Sequence, residues 1–344
     1  MNAEPETTYP SLAMRLCAGE ASAADVAGAD WGRLLRVARR NCVLVRVARR
    51  LEEIGARAPA FFDEAAEEEG RRARAMFEVI RAVSRSCEAR GVEHIFAKSF
   101  HHYPDMGGDI DLFVASRSDD VDAAALEGTP AEPAARDFRG RMSGVTAYRV
   151  GGGFSLEIYH GRVGVLGEHG ALISRLIRNG ERTRVGEADF LVPSAEDLLV
   201  LQGMQKVYRH DYIRLCDVLS TASLASRERM DWDYVIGASA QLGTLYGLRS
   251  YLTYAGQVLR ATLWRELLPA PLRARLTVGS CGRGKFRGGV FVFPRARVAG
   301  RIYLGKVLAA ARAGNWDGVS RLSLMPLVAA SALTRKLAPR AAAQ

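Results

Sequence analysis

The stretch FAKSFHHYPDMGGDIDLFV, residues 96–114, joins a lysine and a serine through a turn-rich connection to a strand that opens with two acids. Successive side chains of a β-strand point to opposite faces, so Asp109 and Asp111 share one face and Ile110 and Leu112 share the other. Two carboxylates held this close repel each other unless a cation lies between them. Because magnesium and manganese prefer carboxylate oxygens, the pair predicts a divalent metal site.

The Asp-x-Asp pattern is short enough to arise by chance, and another copy in the chain serves as a control. Asp231-Trp232-Asp233 has the same spacing but precedes a helical pattern, which is typical of a helix N-terminus where acids favour the helix dipole. The first pair differs in its context. A Gly107-Gly108 turn precedes it, an apolar strand follows it, and the preceding strand ends in Lys98-Ser99.

A third carboxylate, Glu157, stands in the segment FSLEIYH with Leu156 and Ile158 on the opposite face. A neighbouring strand could bring Glu157 to the same ion, and the alternative is an exposed strand residue. Three acids could hold two metal ions, one activating the attacking oxygen and one steadying the phosphates of a nucleotide, as in-line phosphoryl transfer requires.

The surrounding patterns predict an α+β fold in which helices precede and follow a small mixed sheet. Residues 30–56 and 61–90 repeat apolar residues at spacings of three and four, which predicts two amphipathic helices, the second ended by Gly91. Residues 117–143 predict a helix followed by a loop. The predicted strands are VEHIFAK, DIDLFVAS, the hairpin VTAYRV and FSLEIYH, and an edge strand ADFLVP.

The C-terminal half is predicted to be largely helical. Ser194 and Asp197 form an S-x-x-D pattern, in which the serine caps a helix and the aspartate returns a bond to the cap. Further helical patterns cover residues 211–223, 231–260 and 302–335. We therefore expect an N-terminal helical segment over 1–90, an α/β catalytic core over 91–193, and a helical C-terminal domain with a basic tail over 194–344.

Composition places the chain among globular proteins that fold unaided, with 48% apolar and 25% charged residues in a total of 344. The five cysteines have no zinc-site spacing and are expected to be reduced thiols. The N-terminus lacks the pattern of a secretion signal, and the apolar stretch at 322–333 is too short for a transmembrane helix. These features predict a cytoplasmic protein.

The net charge of +10 lies mostly at the C-terminal end. From Arg283 onward the sequence contains twelve Lys and Arg residues and a single acid, Asp317. Such a tail could contact RNA or another anionic partner, or be a solvated surface. The same region contains GSCGRGKF, residues 279–286, which has P-loop spacing but carries Phe286 where a magnesium-binding Ser or Thr belongs. A basic loop is the better interpretation than an ATPase or kinase that uses Lys285.

The segment AKSFHHYPDMGGDIDLFV resembles the motif of the polymerase-beta-type nucleotidyltransferase superfamily, and most closely its bacterial family of uncharacterised nucleotidyltransferases. The segment LEIYH resembles the later acidic strand of that family, and VPSAEDLLVLQGMQKVYRHDYIRLCDVL resembles its Pro-x-x-Glu-Asp helix and the following Arg-x-x-Asp segment. The resemblance covers roughly residues 30–260.

The resemblance implies a transferase that moves a nucleoside monophosphate from an NTP, such as ATP, to an acceptor with the aid of Mg²⁺ or Mn²⁺. It implies metal binding and catalysis by Asp109, Asp111 and Glu157. The residues expected to contact the nucleotide are Lys98, Ser99, Gly108, Lys206, Arg209 and Arg214. A small molecule or a peptide is the expected acceptor, and RNA stays open.

The chain departs from the family pattern at two places. Ser99 stands where the family commonly has glycine, and residues 105–108 lack the arginine that commonly precedes the acids. Another cation, such as Arg209 or Arg214, could replace that arginine. His210 and Asp217 could line the same cleft, or these charges could form a solvated helix face. The alternative function is a non-catalytic protein of the same fold that binds an anionic partner, RNA or an acidic surface, through its basic half.

Overall fold

The computed structural model describes residues 8–116, 118, 120–135, 138–151, 153–279 and 281–328, and the side chains of residues 138, 139, 209 and 295–297 lie outside that description. Within these ranges the chain has the predicted α+β fold. Helices precede a small mixed sheet, and a largely helical half follows it. Among the described helices, none combines the length and the apolar character that crossing a bilayer requires.

The N-terminal segment is helical, as predicted, but the single helix expected over 30–56 is wrong. The helices are α1 (Thr8–Cys17), α2 (Ala23–Val26), α3 (Trp31–Arg40), α4 (Leu44–Glu53) and α5 (Ala60–Ala89). The chain breaks between α3 and α4 because Cys42 has a left-handed φ of 50° and the Asn41 amide donates to the Gly289 carbonyl over 2.6 Å. This tertiary contact overrides the local apolar period. Gly91, with φ of 65°, follows α5 as predicted.

The main sheet contains four of the predicted strands, VEHIFAK, DIDLFVAS, VTAYRV and FSLEIYH. Its strands are β1 (His94–Phe96), β2 (Asp109–Val114), β3 (Ala131–Pro133), β4 (Val145–Val150) and β5 (Phe154–His160), in the order β1-β2-β5-β4-β3. Strands β2 and β5 pair in parallel, and the other neighbours pair antiparallel. The prediction of a helix and a loop over 117–143 omitted β3 and α7. The chain there forms α6 (Asp120–Ala125), β3 and then α7 (Phe138–Ser143).

The ADFLVP strand forms, but its predicted position at the edge of the main sheet is wrong. After α8 (Leu172–Arg178), strands β6 (Glu181–Val185) and β7 (Ala188–Val192) pair with each other in a separate two-stranded sheet. Gly186, in the left-handed region with φ of 60°, makes the tight turn between them. A local hairpin therefore satisfies the backbone of β7 without the main sheet.

The C-terminal half is largely helical, as predicted, and includes a three-stranded sheet that the sequence did not indicate. Its elements are α9 (Ala195–Arg209), β8 (Tyr212–Ile213), α10 (Leu215–Ala225), α11 (Trp232–Gln241), α12 (Leu245–Leu263), α13 (Ala270–Leu276), β9 (Lys285–Arg287), β10 (Val290–Val292), α14 (Arg295–Arg312) and α15 (Trp316–Ser323). Residues 329–335 of the helix predicted over 302–335 lie outside the described residues.

Two helix N-termini predicted from the sequence are present, and a side chain caps each of them. The Ser194 hydroxyl accepts from the backbone N–H of Asp197 over 3.2 Å, and the Asp231 carboxylate accepts from the N–H of Tyr234 over 2.9 Å. The Asp197 carboxylate does not follow the prediction. It accepts hydrogen bonds from Arg175 and from the Tyr234 hydroxyl, which tie α9 to its neighbours.

Strand β2 is buried on both faces, which explains its apolar run. Ile110 and Leu112 pack in one core cluster with residues of α5, and Phe113 packs in another with Tyr159 of β5 and with residues of α8 and α9. A third cluster joins the N-terminal helices to the C-terminal helices. The acids at the start of β2 lie on the face covered by α9, at the end where this apolar cover stops.

Candidate active site

Three carboxylates meet on one face of the sheet. The pleat turns Asp109 and Asp111 to the same side of β2, and the parallel register places Asp111 directly opposite Glu157 of β5. One carboxylate oxygen from each of the three residues lies within 4.8 Å of the others. Asp111 is buried, Glu157 is half-buried and Asp109 is exposed, so the group opens to solvent on one side.

Residues at the end of β1 hold the buried acid. The Lys98 ammonium lies 2.9 Å from Asp111 Oδ2, and the Ser99 hydroxyl accepts from the backbone N–H of Asp111 over 3.3 Å. Both positions follow from the antiparallel pairing of β1 and β2. Ser99 therefore contacts the backbone of Asp111, and Lys98 forms an ion pair with the Asp111 carboxylate.

The donor set fits a divalent cation of the magnesium type. Asp111 Oδ1 is buried and has no hydrogen-bond partner among the described residues. A buried carboxylate oxygen without a partner is costly unless a ligand satisfies it. It shares the cluster with two further carboxylates, and hard oxygen donors of this kind are those that Mg²⁺ and Mn²⁺ bind. Asp109, Asp111 and Glu157 would hold such an ion.

The acids line a cavity of about 340 Å³ whose other wall comes from α9, β8 and the start of α10. That wall carries Lys206, His210, Tyr212, Arg214 and Asp217. Cations thus lie across the cavity from a group of anions. This is the charge arrangement that a metal–polyphosphate needs, with carboxylates for the metal and basic groups for the phosphate oxygens.

A larger groove, of about 1070 Å³, runs between α4 and α5 and includes Tyr103 and Pro104. None of the three converging carboxylates lines it. Size is therefore a poor guide to the site in this molecule, and the chemistry of the lining residues decides in favour of the smaller cavity.

Lys206 is fixed in the wall by a buried ion pair. Its ammonium lies 2.5 Å from Asp217 Oδ1, His102 Nε2 lies 3.0 Å from the same oxygen, and the Arg214 backbone N–H donates to Asp217 Oδ2 over 3.2 Å. Burial opposes ionisation of Asp217, but Lys206 and His102 hold the pKa of its carboxyl well below the ordinary value. Asp217 is therefore an anion that orients the cations of the wall.

His101 lies beside this ion pair, with its ring centroid 3.6 Å from that of His102. Burial, and then the neighbouring His102, lower the pKa of His101 well below the ordinary value, so its imidazole is neutral near pH 7. Ligand atoms of His101, His102 and Asp217 also lie within 4.8 Å of one another. Asp217 Oδ1 already binds both Lys206 and His102, so this second cluster is an ion-pair network rather than a metal site.

The N-terminal helices hold the connection between β1 and β2, which sequence reasoning missed. Arg46 of α4 donates to the His102 carbonyl over 2.7 Å, and Arg72 of α5 donates to the Gly107 carbonyl over 2.8 Å. The Asp105 carboxylate accepts from the N–H of Val45, in the first turn of α4, over 2.7 Å. Arginines on amphipathic helices usually face solvent, so the apolar period of these helices gives no sign of this contact.

The other residues expected in the site are placed as follows. Gly108 lies outside the cavity lining, which its neighbour Gly107 joins, and the Gly108 carbonyl accepts from the N–H of Ser155 over 3.1 Å. The side chain of Arg209 lies outside the described residues. Lys285 lies in β9, which pairs with β10, rather than at the start of a helix, so the P-loop alternative has no support.

A family model described as an uncharacterised nucleotidyltransferase matches residues 27–260, a range that includes both walls of the cavity. No curated protein and no solved structure matches the chain.

Proposed function

Because the chain belongs to the uncharacterised nucleotidyltransferase family, we propose that it transfers a nucleoside monophosphate from an NTP to an acceptor at this cavity, with Mg²⁺ or Mn²⁺ as cofactor. The observation that carries the proposal is the convergence of Asp109, Asp111 and Glu157 within 4.8 Å, opposite a basic wall. The proposal needs a metal between the acids and the nucleotide, because carboxylates alone repel a polyphosphate.

The proposed reaction is attack of an acceptor oxygen on the α-phosphorus of the NTP, with pyrophosphate as the leaving group. A bound divalent cation supplies charge neutralisation on the phosphate oxygens and activation of the attacking oxygen. The carboxylates of Asp109, Asp111 and Glu157 would hold that cation. Lys98, Lys206 and Arg214 are the proposed ligands of the phosphate oxygens, a role supported by their position in the lining of the same cavity.

The acceptor is proposed to be a small molecule or a peptide, with ATP as the first nucleotide to test. The cavity, at about 340 Å³, has the size of a small-molecule site rather than an extended nucleic-acid groove. The basic tail keeps an RNA acceptor as an outcome of the assay. One of its members, Lys306, is buried against Glu168 and is not part of a solvated surface.

A non-catalytic function is the second candidate, and one contact favours it. The Lys98 ammonium already neutralises Asp111 at 2.9 Å, so the acids are partly compensated without a metal. In that case the cavity would bind an anion through its basic wall and would need no divalent cation. The two candidates differ in whether nucleotide binding depends on the acids.

The test is calorimetric titration of the full chain with Mn²⁺ and an α,β-methylene ATP analogue, which binds but cannot be cleaved at the α-phosphorus. Asp109→Asn with Asp111→Asn should weaken Mn²⁺-dependent nucleotide binding at least about tenfold, because two of the three metal ligands lose their charge. The matched control is Asp231→Asn with Asp233→Asn, which has the same spacing outside the cavity. Asparagine keeps the helix cap at position 231.

Label transfer from α-³²P-ATP into acceptors of a cell extract completes the test. Nucleotidyl transfer predicts labelled products with the parent and the control variant, and none with the altered acids. Nucleotide binding that needs no metal and survives the change at Asp109 and Asp111 would support the non-catalytic candidate and contradict the enzyme.

A further inference from the structure

Two cysteines from distant parts of the chain lie together beside the basic wall. Cys42 occupies the left-handed turn between α3 and α4 and is half-buried, and Cys216 is the second residue of α10 and is fully buried. Asn41 joins the two segments. Its side-chain oxygen accepts from the N–H of Leu215 over 3.0 Å, and its carbonyl accepts from the N–H of Cys216 over 3.3 Å. The backbones at the two cysteines are therefore adjacent.

The surroundings of Cys42 favour a thiolate. The Arg214 Nη1–H donates to Cys42 Sγ over 3.4 Å, and the sulfur lies near the start of α10, where the helix dipole favours an anion. A hydrogen bond from the Cys216 thiol, with help from Arg214, lowers the pKa of Cys42 to about 7 against the opposing effects of burial, Asp217 and Asp105.

The other thiols lack this environment. Burial raises the pKa of Cys17 and of Cys87 to about 12, and burial also raises the pKa of Cys281. For Cys216, burial and then its hydrogen bond to Cys42 keep the pKa well above the ordinary value, so this residue stays a thiol. The pair thus contains one nucleophile and one neutral partner, on two backbone segments that Asn41 joins.

We propose that Cys42 and Cys216 form a peroxide-reactive pair, a modification site separate from nucleotidyl transfer. The Cys42 sulfur attacks an oxygen of hydrogen peroxide, the O–O bond breaks, and the departing hydroxide takes up a proton to give water and a sulfenic acid. The Cys216 sulfur then attacks the Cys42 sulfur, the S–O bond breaks, and the thiol proton leaves with the hydroxide as a second water. Two thiols and one peroxide give one disulfide and two waters.

This chemistry would act next to the proposed phosphate wall. Arg214 lines the cavity, and its guanidinium contacts the Cys42 sulfur and lies 5.5 Å from the centre of the Tyr212 ring. Disulfide formation removes the thiolate that faces this guanidinium. In reducing compartments, disulfides between neighbouring thiols are usually transient and serve catalysis or redox sensing.

The first experiment treats the reduced full chain with hydrogen peroxide, alkylates the remaining thiols and maps peptides by mass spectrometry. We expect a peptide linking Cys42 to Cys216, a loss of two hydrogen atoms in the intact mass, and reversal by dithiothreitol. Cys216→Ser should leave a sulfenic acid on Cys42 that dimedone traps, whereas the control Cys281→Ser should leave the linked peptide unchanged.

The second experiment measures the rate of alkylation by iodoacetamide at pH 7 in the folded chain. Cys42 should react at least about tenfold faster than Cys17, because with its pKa of about 7 about half of Cys42 is thiolate at this pH, whereas Cys17, with a pKa of about 12, stays a thiol. Arg214→Met should reduce that advantage. A folded chain in which Cys17 reacts as fast as Cys42, or in which peroxide yields no Cys42–Cys216 peptide, overturns the proposal. Neither assay contains metal or nucleotide, so their outcome is independent of the proposed transferase activity.

Discussion

The hydroxyl of Tyr159 donates a hydrogen bond of 2.7 Å to Glu157 Oε2. The two residues are two positions apart on β5 and so share the face that the acids occupy. The Tyr159 ring is 2% exposed and packs on Phe113, with ring centroids 4.6 Å apart. A ring fixed in the core thus orients the carboxylate that completes the proposed metal site.

Tyr159→Phe should weaken Mn²⁺ binding about tenfold while leaving the fold intact, because groups that orient a metal ligand typically contribute a factor of this size. Calorimetric titration measures the affinity. Tyr148→Phe is the matched control, since its hydroxyl donates to Asp122 over 2.7 Å, outside the cavity. Equal Mn²⁺ affinity in the parent and the Tyr159 variant would show that Glu157 needs no such orientation.

Lys98→Met should change two affinities in opposite directions. The ammonium lies 2.9 Å from Asp111 Oδ2 and competes with a cation there, so Mn²⁺ alone should bind about fivefold tighter, equivalent to about 1 kcal/mol. The Mn²⁺–nucleotide complex should bind about tenfold weaker, because a charged donor to phosphate is lost. Lys285→Met, in β9, is the control and should change neither. If both affinities move in the same direction, Lys98 does not contact the phosphates.

The sequence predicted the cluster of acids because the β pleat is a local rule. Asp109 and Asp111 share a face in any strand, and the Gly107-Gly108 turn marked where that strand begins. Glu157 required one further fact, the parallel register of β2 and β5, which depends on a connection of some forty residues rather than on neighbours in the chain.

The break between α3 and α4 and the arginine contacts to the loop before the acids depend on partners far away in sequence. The break at Cys42 follows from contacts of Asn41 with residues near 215 and 289. Arg46 and Arg72 hold carbonyls of the loop before the acids, although arginines on an amphipathic helix usually face solvent. Local periodicity indicates which face of a helix is apolar. It does not predict which backbone groups a long polar side chain contacts.

Lys306→Met should lower the free energy of unfolding by about 3–5 kcal/mol, because it leaves Glu168 as a buried charge without its partner. The Lys306 ammonium lies 2.6 Å from Glu168 Oε1, and both side chains are 1% exposed. Burial opposes ionisation of Glu168, yet Lys306 lowers the pKa of its carboxyl to about 2. Urea unfolding followed by circular dichroism measures the loss.

The double variant Lys306→Met with Glu168→Gln should recover most of that loss, since it removes both charges together. An exposed pair gives the control: Asp233→Asn removes the partner of Arg275, and with Asp233 82% exposed it should cost less than about 1 kcal/mol. A double variant no more stable than Lys306→Met alone would mean that packing of the lysine stem, rather than its charge, stabilises α14.

His169 should make the protein lose stability in mild acid. Burial, and then the Lys306 ammonium, lower the pKa of His169 to about 4, whereas an unfolded histidine titrates near its ordinary value of about 6.5. Between these values the unfolded chain binds a proton that the folded chain does not, so this contribution to stability is complete above pH about 6.5 and is lost as the pH falls toward about 4. The difference amounts to about 3 kcal/mol.

His169→Gln removes this titration, so its free energy of unfolding should fall less steeply than that of the parent between pH 6.5 and 4. Between pH 7 and 8 the two curves should run parallel, because the imidazole is neutral in both states there, and this window serves as the internal control. His101 and His102 are also held neutral by burial and add to the slope of both proteins alike. If the two stability curves stay parallel down to pH 4, His169 is protonated in the folded chain as readily as in the unfolded chain. The buried Glu168 would then accommodate both Lys306 and a charged His169.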